Sequence, residues 1–168
     1  MSPSSSPTEP AGGVTARPAE GGDLGRLGEL HLASVSALGP VRGGPQLAAS
    51  HSRGPDAPAV TASLAAALDD PGTEVLVGCI GEEVVGHAVV TCGPGDPTAE
   101  LRELYVEPGA RQVGVGSALL EAARAVARAQ GCTGLDAIAL PGDRATKNFF
   151  EDHAMVARAI VVHGSVEP

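Results

Sequence analysis

The spacing of apolar positions changes period several times along this chain, and each change marks an element. Leu24, Leu27, Leu30 (with His31), Val35 and Leu38 recur at three- and four-residue steps. That spacing predicts a helix with Asp23 as its N-cap and Gly39 at its end. A short strand, Val14 to Arg17, precedes it, and residues 1–13 (MSPSSSPTEPAGG) read as a disordered tail. Residues 39–57 are dense in Gly, Pro, Ser and Arg and predict a long irregular connection. A second helix is expected over Ala59 to Leu68, stopped by Asp69-Asp70-Pro71-Gly72. Two β-rich runs, Glu74–Ile80 and Val84–Cys92, joined through Gly81-Glu82-Glu83, read as a hairpin. Thr98–Val106 follows as a third long strand carrying Glu100 and Glu103.

The helical signal is strongest from Val115 to Gln130. Val115, Leu119, Leu120, Ala123, Val126 and Ala127 fall on one face, Glu121, Arg124 and Arg128 on the other, with Gly131 at C′. A strand (Leu135–Leu140), a helix (Arg144–His153) and a last strand (Met155–Val162) complete the reading. Helices and strands alternate around a central meander, so the fold class is α/β or α+β with a mixed sheet. The length of 168 residues suits one domain, 14–168.

Composition narrows the chemistry. Aromatic residues are only 2% of the chain against 43% apolar, so the core must be packed from Val, Leu, Ile and Ala. A net charge of −9 argues against a nucleic-acid partner. It suits a cationic small molecule or basic peptide, or simply solubility. Three cysteines without metal-type spacing point to a reducing compartment. No run has the length of a membrane span or a signal-peptide core, and a cytoplasmic location is expected. The five histidines form no cluster in sequence and no metal is expected; His87 reads as a partly buried structural residue of the hairpin's second strand or, as the alternative, a base acting through water.

The informative stretch is Val106 to Leu120, VEPGARQVGVGSALL. A strand ends, Pro108 stops it, and Gly114 and Gly116 open a helix. Glycine lets the backbone come close to a ligand, and the free N–H groups of a first helical turn attract an anion. From physics this is a pyrophosphate loop, or an ordinary glycine turn before a core helix. A Walker loop is excluded because no Lys follows Gly116, and a Rossmann fingerprint because Leu119 stands where its third Gly belongs.

The run Val106-x-Pro108-x-x-Arg111-x-x-Gly114-x-Gly116-x-x-Leu119-Leu120 resembles the acetyl-CoA signature of the GNAT superfamily of N-acetyltransferases. The resemblance implies a mixed, mostly antiparallel sheet flanked by helices, and acetyl-CoA as acyl donor. It implies transfer to a primary amine of a small molecule or peptide, or, as the alternative, a non-catalytic acyl-CoA-binding regulatory module. Amides from Gln112 through Val113, Gly114, Val115, Gly116, Ser117 and Ala118 would hold the pyrophosphate. Leu104, Tyr105 and Val106 would pair with the pantetheine arm, and the Leu104 or Tyr105 amide would polarise the thioester. Glu100, sixteen residues before Gly116, matches the general base of some members, with Glu103 as the competing carboxylate. Downstream, DRATKNFFEDHAM resembles the family's Asn-x-x-Ala-x-x-x-Tyr-x-x-x-Gly-Phe, and Asn148 lies near the expected path of the coenzyme arm. Phe150 stands where the family's Tyr usually protonates the leaving sulfur. Homodimers are frequent in the family.

Overall fold

A computed structural model describes residues 13–166; the expected tail over 1–13 therefore lies, Gly13 apart, outside the described residues. The chain runs β1 (Val14–Pro18), α1 (Leu24–Leu38), α2 (Gly44–His51), α3 (Ala57–Leu68), β2 (Thr73–Ile80), β3 (Glu83–Thr91), β4 (Thr98–Val106), α4 (Val115–Ala129), β5 (Gly134–Ala137) and α5 (Arg144–Asp152). Five strands lie in one sheet in sequence order. The pairs β1–β2, β2–β3 and β3–β4 are antiparallel and β4–β5 is parallel, giving the mixed, mostly antiparallel sheet expected.

Each face of the sheet carries its own core. Val115, Leu119, Leu120 and Ala123 of α4 bury against Leu76, Ala88, Val90 and Leu101, and Phe150 of α5 joins them. On the opposite face Leu27 and Leu30 of α1 and Val60 and Leu64 of α3 cover Val75, Val77 and Val89. Cys79 and Cys132 are buried among these groups as small hydrophobes, and Cys92 is half-buried. No helix among the described residues is long and apolar enough to cross a membrane.

Asp23 stands at the N-cap of α1 as expected, but its carboxylate takes two hydrogen bonds from Arg17 and one from the Glu20 amide, closing a 3₁₀ turn ahead of the helix instead of capping with its side chain. Two local expectations need correction. The 39–57 connection contains α2, where Pro45 sits in the first turn, a position that tolerates a missing N–H. The last predicted strand, Met155–Val162, forms no strand: Val156, Ile160, Val161 and Val162 stay at least 79% exposed. β-branched residues favour extension, but a strand needs a neighbouring strand for its N–H and C=O groups, and this run pairs with no strand among the described residues.

Candidate active site

The chemistry gathers where β4 leaves β5. Their register runs from Thr98↔Gly134 only to Leu101↔Ala137, while β4 stays paired with β3 as far as Gly86↔Val106. From Arg102 onward the outer edge of β4 thus has no strand partner among the described residues. The Val106 carbonyl faces this edge, because it accepts from Arg111 Nε at 2.9 Å. Strand backbone groups alternate between the two sides, so Leu104 presents its N–H to the same open edge and Tyr105 is turned toward β3. The guanidinium of Arg111 also lies 5.8 Å from the Tyr105 ring centroid. Arg111 thereby braces the loop against the strand end.

The loop then winds into α4. Gln112 and Gly114 both take positive φ, 65° and 102°. Right- and left-handed residues in close succession turn neighbouring N–H groups inward, the arrangement that makes an anion nest. Gln112, Val113 and Gly114 are exposed, Val115 is buried, and Gly116, Ser117 and Ala118 are half-buried in the first turn. The two glycines differ in their reason. A Cβ on Gly114 would meet nothing within 4 Å and would stand in open space. A Cβ on Gly116 would lie 3.3 Å from the Phe149 ring, so this glycine makes room for α5 rather than for a ligand.

The two candidate carboxylates share a face. The register of β3 and β4 shifts between Val89 and Val90, placing Glu103 opposite Val89 and Glu100 opposite Thr91. Without that irregularity, residues three apart would point to opposite sides of the sheet. Their surroundings differ sharply. Glu100 is exposed, with Arg102 Nη1 3.6 Å away. Glu103 is buried and fully bound: Oε2 lies 3.0 Å from His31 Nδ1 and from His87 Nε2, and Oε1 receives Arg53 Nη2 at 2.8 Å and Nε at 3.2 Å.

Burial alone would raise the Glu103 pKa. The hydrogen bonds of His31 and His87, with the nearby charges of His87 and Arg53, outweigh it and hold the carboxyl far below the usual range. An ionised carboxylate only accepts, so His31 carries its proton on Nδ1 and His87 on Nε2. The Nδ1 of His87 is buried and has no hydrogen-bond partner among the described residues. A third histidine, His51 at the end of α2, is half-buried; burial lowers its pKa, with Glu103 pulling the other way. Two of the five histidines thus bind one carboxylate, correcting the expectation that they form no cluster. His31, Arg53, His87 and Glu103 come from α1, the α2–α3 connection, β3 and β4, and no local pattern links them.

The same His–Glu–His set has ligand atoms within 4.8 Å of one another, as a metal site would need. Arg53 argues against an ion there, since a divalent cation would share the carboxylate with a guanidinium already bound to it. Beside the cluster run two adjoining grooves of about 370 and 410 Å³ that share Asp70, Thr73 and Thr91. Arg53 and Arg102 line one end, and Asp96 and Glu100 the other. Asn148 is exposed on α5, and Phe150 is buried in the main core.

The mixed sheet thus opens one edge of β4 beside a glycine loop and the N-terminus of α4. The acetyltransferase (GNAT) family profile matches residues 46–155, and the chain belongs to that family. No curated protein sequence matches it. Among solved structures it is similar to an aminoglycoside N-acetyltransferase, AAC(6')-Iy, in complex with CoA: TM-score 0.72 and 16% identity, covering 95% of this chain and 97% of that one. It is also similar to a transcriptional regulator from Bacillus halodurans C-125, with TM-score 0.65, 24% identity and coverage of 91% and 99%. An aminoglycoside acetyltransferase from an uncultured soil metagenomic sample, in complex with sisomicin, gives TM-score 0.66 and 17% identity, covering 92% and 96%. At these identities the likeness is one of fold.

Proposed function

We propose that this protein transfers an acetyl group from acetyl-CoA to a primary amine by direct attack. The observation that carries the reading is the open β4 edge ending on the Arg111–Ala118 loop, in a chain of this family. The loop suits a diphosphate: its N–H groups converge, Gly114 leaves its mouth clear, and the α4 N-terminus adds a favourable dipole. Bound acetyl-CoA supplies the thioester that the amine attacks.

The chain's own groups then have definite tasks. The Leu104 N–H faces the open edge, where it donates to the carbonyl oxygen as negative charge develops. The grooves offer room for the amine on the α1/α3 face, and Asp70, Asp96 and Glu100, at the end away from Arg53 and Arg102, suit a cationic acceptor. Two neighbours of known name act on aminoglycosides, which agrees with a small polyamine acceptor. Glu103 is a poor proton acceptor, since three cationic or N–H partners stabilise its charged form. Glu100 is free of such partners apart from Arg102. It stands four residues before Leu104, about 13 Å along the strand, so it takes the ammonium proton through ordered water. Phe150 has no proton for the sulfur; a thiol's reference pKa of about 8.5 makes thiolate departure tolerable without one.

Transfer of labelled acetyl groups to a panel of mono-, di- and polyamines, beside calorimetry with acetyl-CoA, tests the proposal. Coenzyme binding with labelled product supports it. Binding without product from any amine would identify a non-catalytic acyl-CoA-binding module instead. A Gly114→Val variant tests the loop. A side chain at positive φ costs about 1–2 kcal/mol, which the fold tolerates, while the branch enters the loop mouth. Acetyl-CoA affinity should fall by about 10-fold or more, the loss expected when a Cβ bars close backbone approach. Unchanged affinity in the folded variant would remove the loop from the coenzyme site.

A further inference from the structure

His153, at the C-terminal end of α5, is half-buried against the first turn of α4. Its Nδ1 lies 2.7 Å from the Phe149 carbonyl oxygen and its Nε2 2.9 Å from Ser117 Oγ. A carbonyl only accepts, so Nδ1 carries the proton, and in the neutral ring Nε2 accepts the Ser117 O–H. Ser117 is the third residue of α4, within the turn whose N–H groups have no intrahelical partner. With the ring neutral, the hydroxyl proton points inward and Ser117 offers only lone pairs to that turn. With the ring protonated, Nε2–H donates to Oγ and the hydroxyl proton is released outward, adding a donor beside the amides. A proton on His153 and an anion at the α4 N-terminus therefore favour each other.

The other groups around the ring do not supply that anion. The Phe149 ring lies 4.5 Å away by centroids, and Arg124 of α4 donates to the His153 carbonyl oxygen while binding Glu121. On α5, Glu151 is bound to Lys147. Among the described residues no carboxylate forms an ion pair with the His153 ring.

We propose that His153 takes up a solvent proton on Nε2 when the coenzyme diphosphate docks at the α4 N-terminus, and that Ser117 relays it as an outward hydrogen bond. His153 is a positioning residue that reaches the ligand only through Ser117. The inference rests on the coenzyme reading above and adds a linkage that reading does not require.

The experiment is calorimetry with dephospho-CoA, which lacks the separately titrating 3′-phosphate. It is run between pH 7 and 8 in triethanolamine and in imidazole buffers at matched chloride, which bring no phosphate to the site and whose ionisation heats differ. The expected result is an uptake of up to about half a proton per molecule bound, with Kd rising about 2- to 3-fold over that pH unit. His153→Gln and Ser117→Ala should each bind dephospho-CoA with the uptake lost and Kd independent of pH. Should His153→Gln fail to fold, ring-labelled histidine in the parent reads the same event: one imidazole should titrate about a unit higher with ligand bound. Binding with equal heats in both buffers, or uptake undiminished in the variants, overturns the proposal while leaving the coenzyme site intact. No binding at all overturns the coenzyme reading and this inference together.

Discussion

Glu103→Gln is expected to destabilise the protein by about 3–5 kcal/mol, the loss that follows when one partner of a buried ion pair is removed. The side chain is 6% exposed and Arg53 14%, so water replaces little of the lost interaction. The amide cannot neutralise Arg53, and with its one oxygen between the two imidazoles its NH2 meets the guanidinium donor to donor. For a domain of this size the melting temperature should drop by about 10 °C. The acid limb should change as well. Because the folded-state pKa lies below the usual 4.5, the unfolded chain binds the extra proton first. Stability from Glu103 is thus fully present above that value and is lost progressively as pH falls below it. Thermal melts from pH 7 to pH 3 should show the parent losing stability steeply below about pH 5 and Glu103→Gln losing much less. Parallel curves for the two proteins would show that the cluster does not carry this charge pair.

The second large effect is catalytic. Glu100→Gln should lower kcat/KM by about 10²–10⁴ with acetyl-CoA affinity unchanged, the range for loss of a general base. Its exposure keeps the substitution nearly neutral for folding, so the loss reads as chemistry. Asp136→Asn makes the matched control, because Asp136 pairs in register with Glu100 on β5 and carries the same charge. It should stay within a few-fold of the parent. Glu103→Gln cannot serve as that control, because its folding defect would mix with any catalytic one. Steady-state kinetics on an accepted amine decide the matter. An unaffected Glu100→Gln would leave no side-chain base on β4, and the amine would have to arrive neutral or lose its proton to water alone.

Much of this architecture is legible locally because periodicity and turn chemistry act within a few residues. The strand Thr98–Val106 and the helix starting at Val115 appear where apolar spacing placed them, and Gly131 takes positive φ after α4 as a C′ glycine should. The Arg111–Ala118 loop was visible for the same reason: strand, proline, glycines and helix are contiguous, and a helix N-terminus is an anion site by construction. Where local signals compete, the reading fails. Gly44-Pro45 resembles a breaker in sequence, yet a helix accepts proline in its first turn, and α2 begins there.

Tertiary structure alone decides the rest. His31 and Glu103 are 72 residues apart, Arg53 and Glu103 are 50 apart, and only packing of α1 and the α2–α3 connection on the sheet brings them together. The sequence shows a histidine and two strand glutamates; it does not show which glutamate is buried. The shift of register between Val89 and Val90 decides that, because one extra residue turns Glu103 under the helices and leaves Glu100 in the groove. The roles of Gly114 and Gly116 likewise separate only once Phe149 is seen packed against one of them. The run from Val156 to Val162 shows the converse limit, since β propensity belongs to the residues, but a strand exists only where a second edge meets its hydrogen bonds.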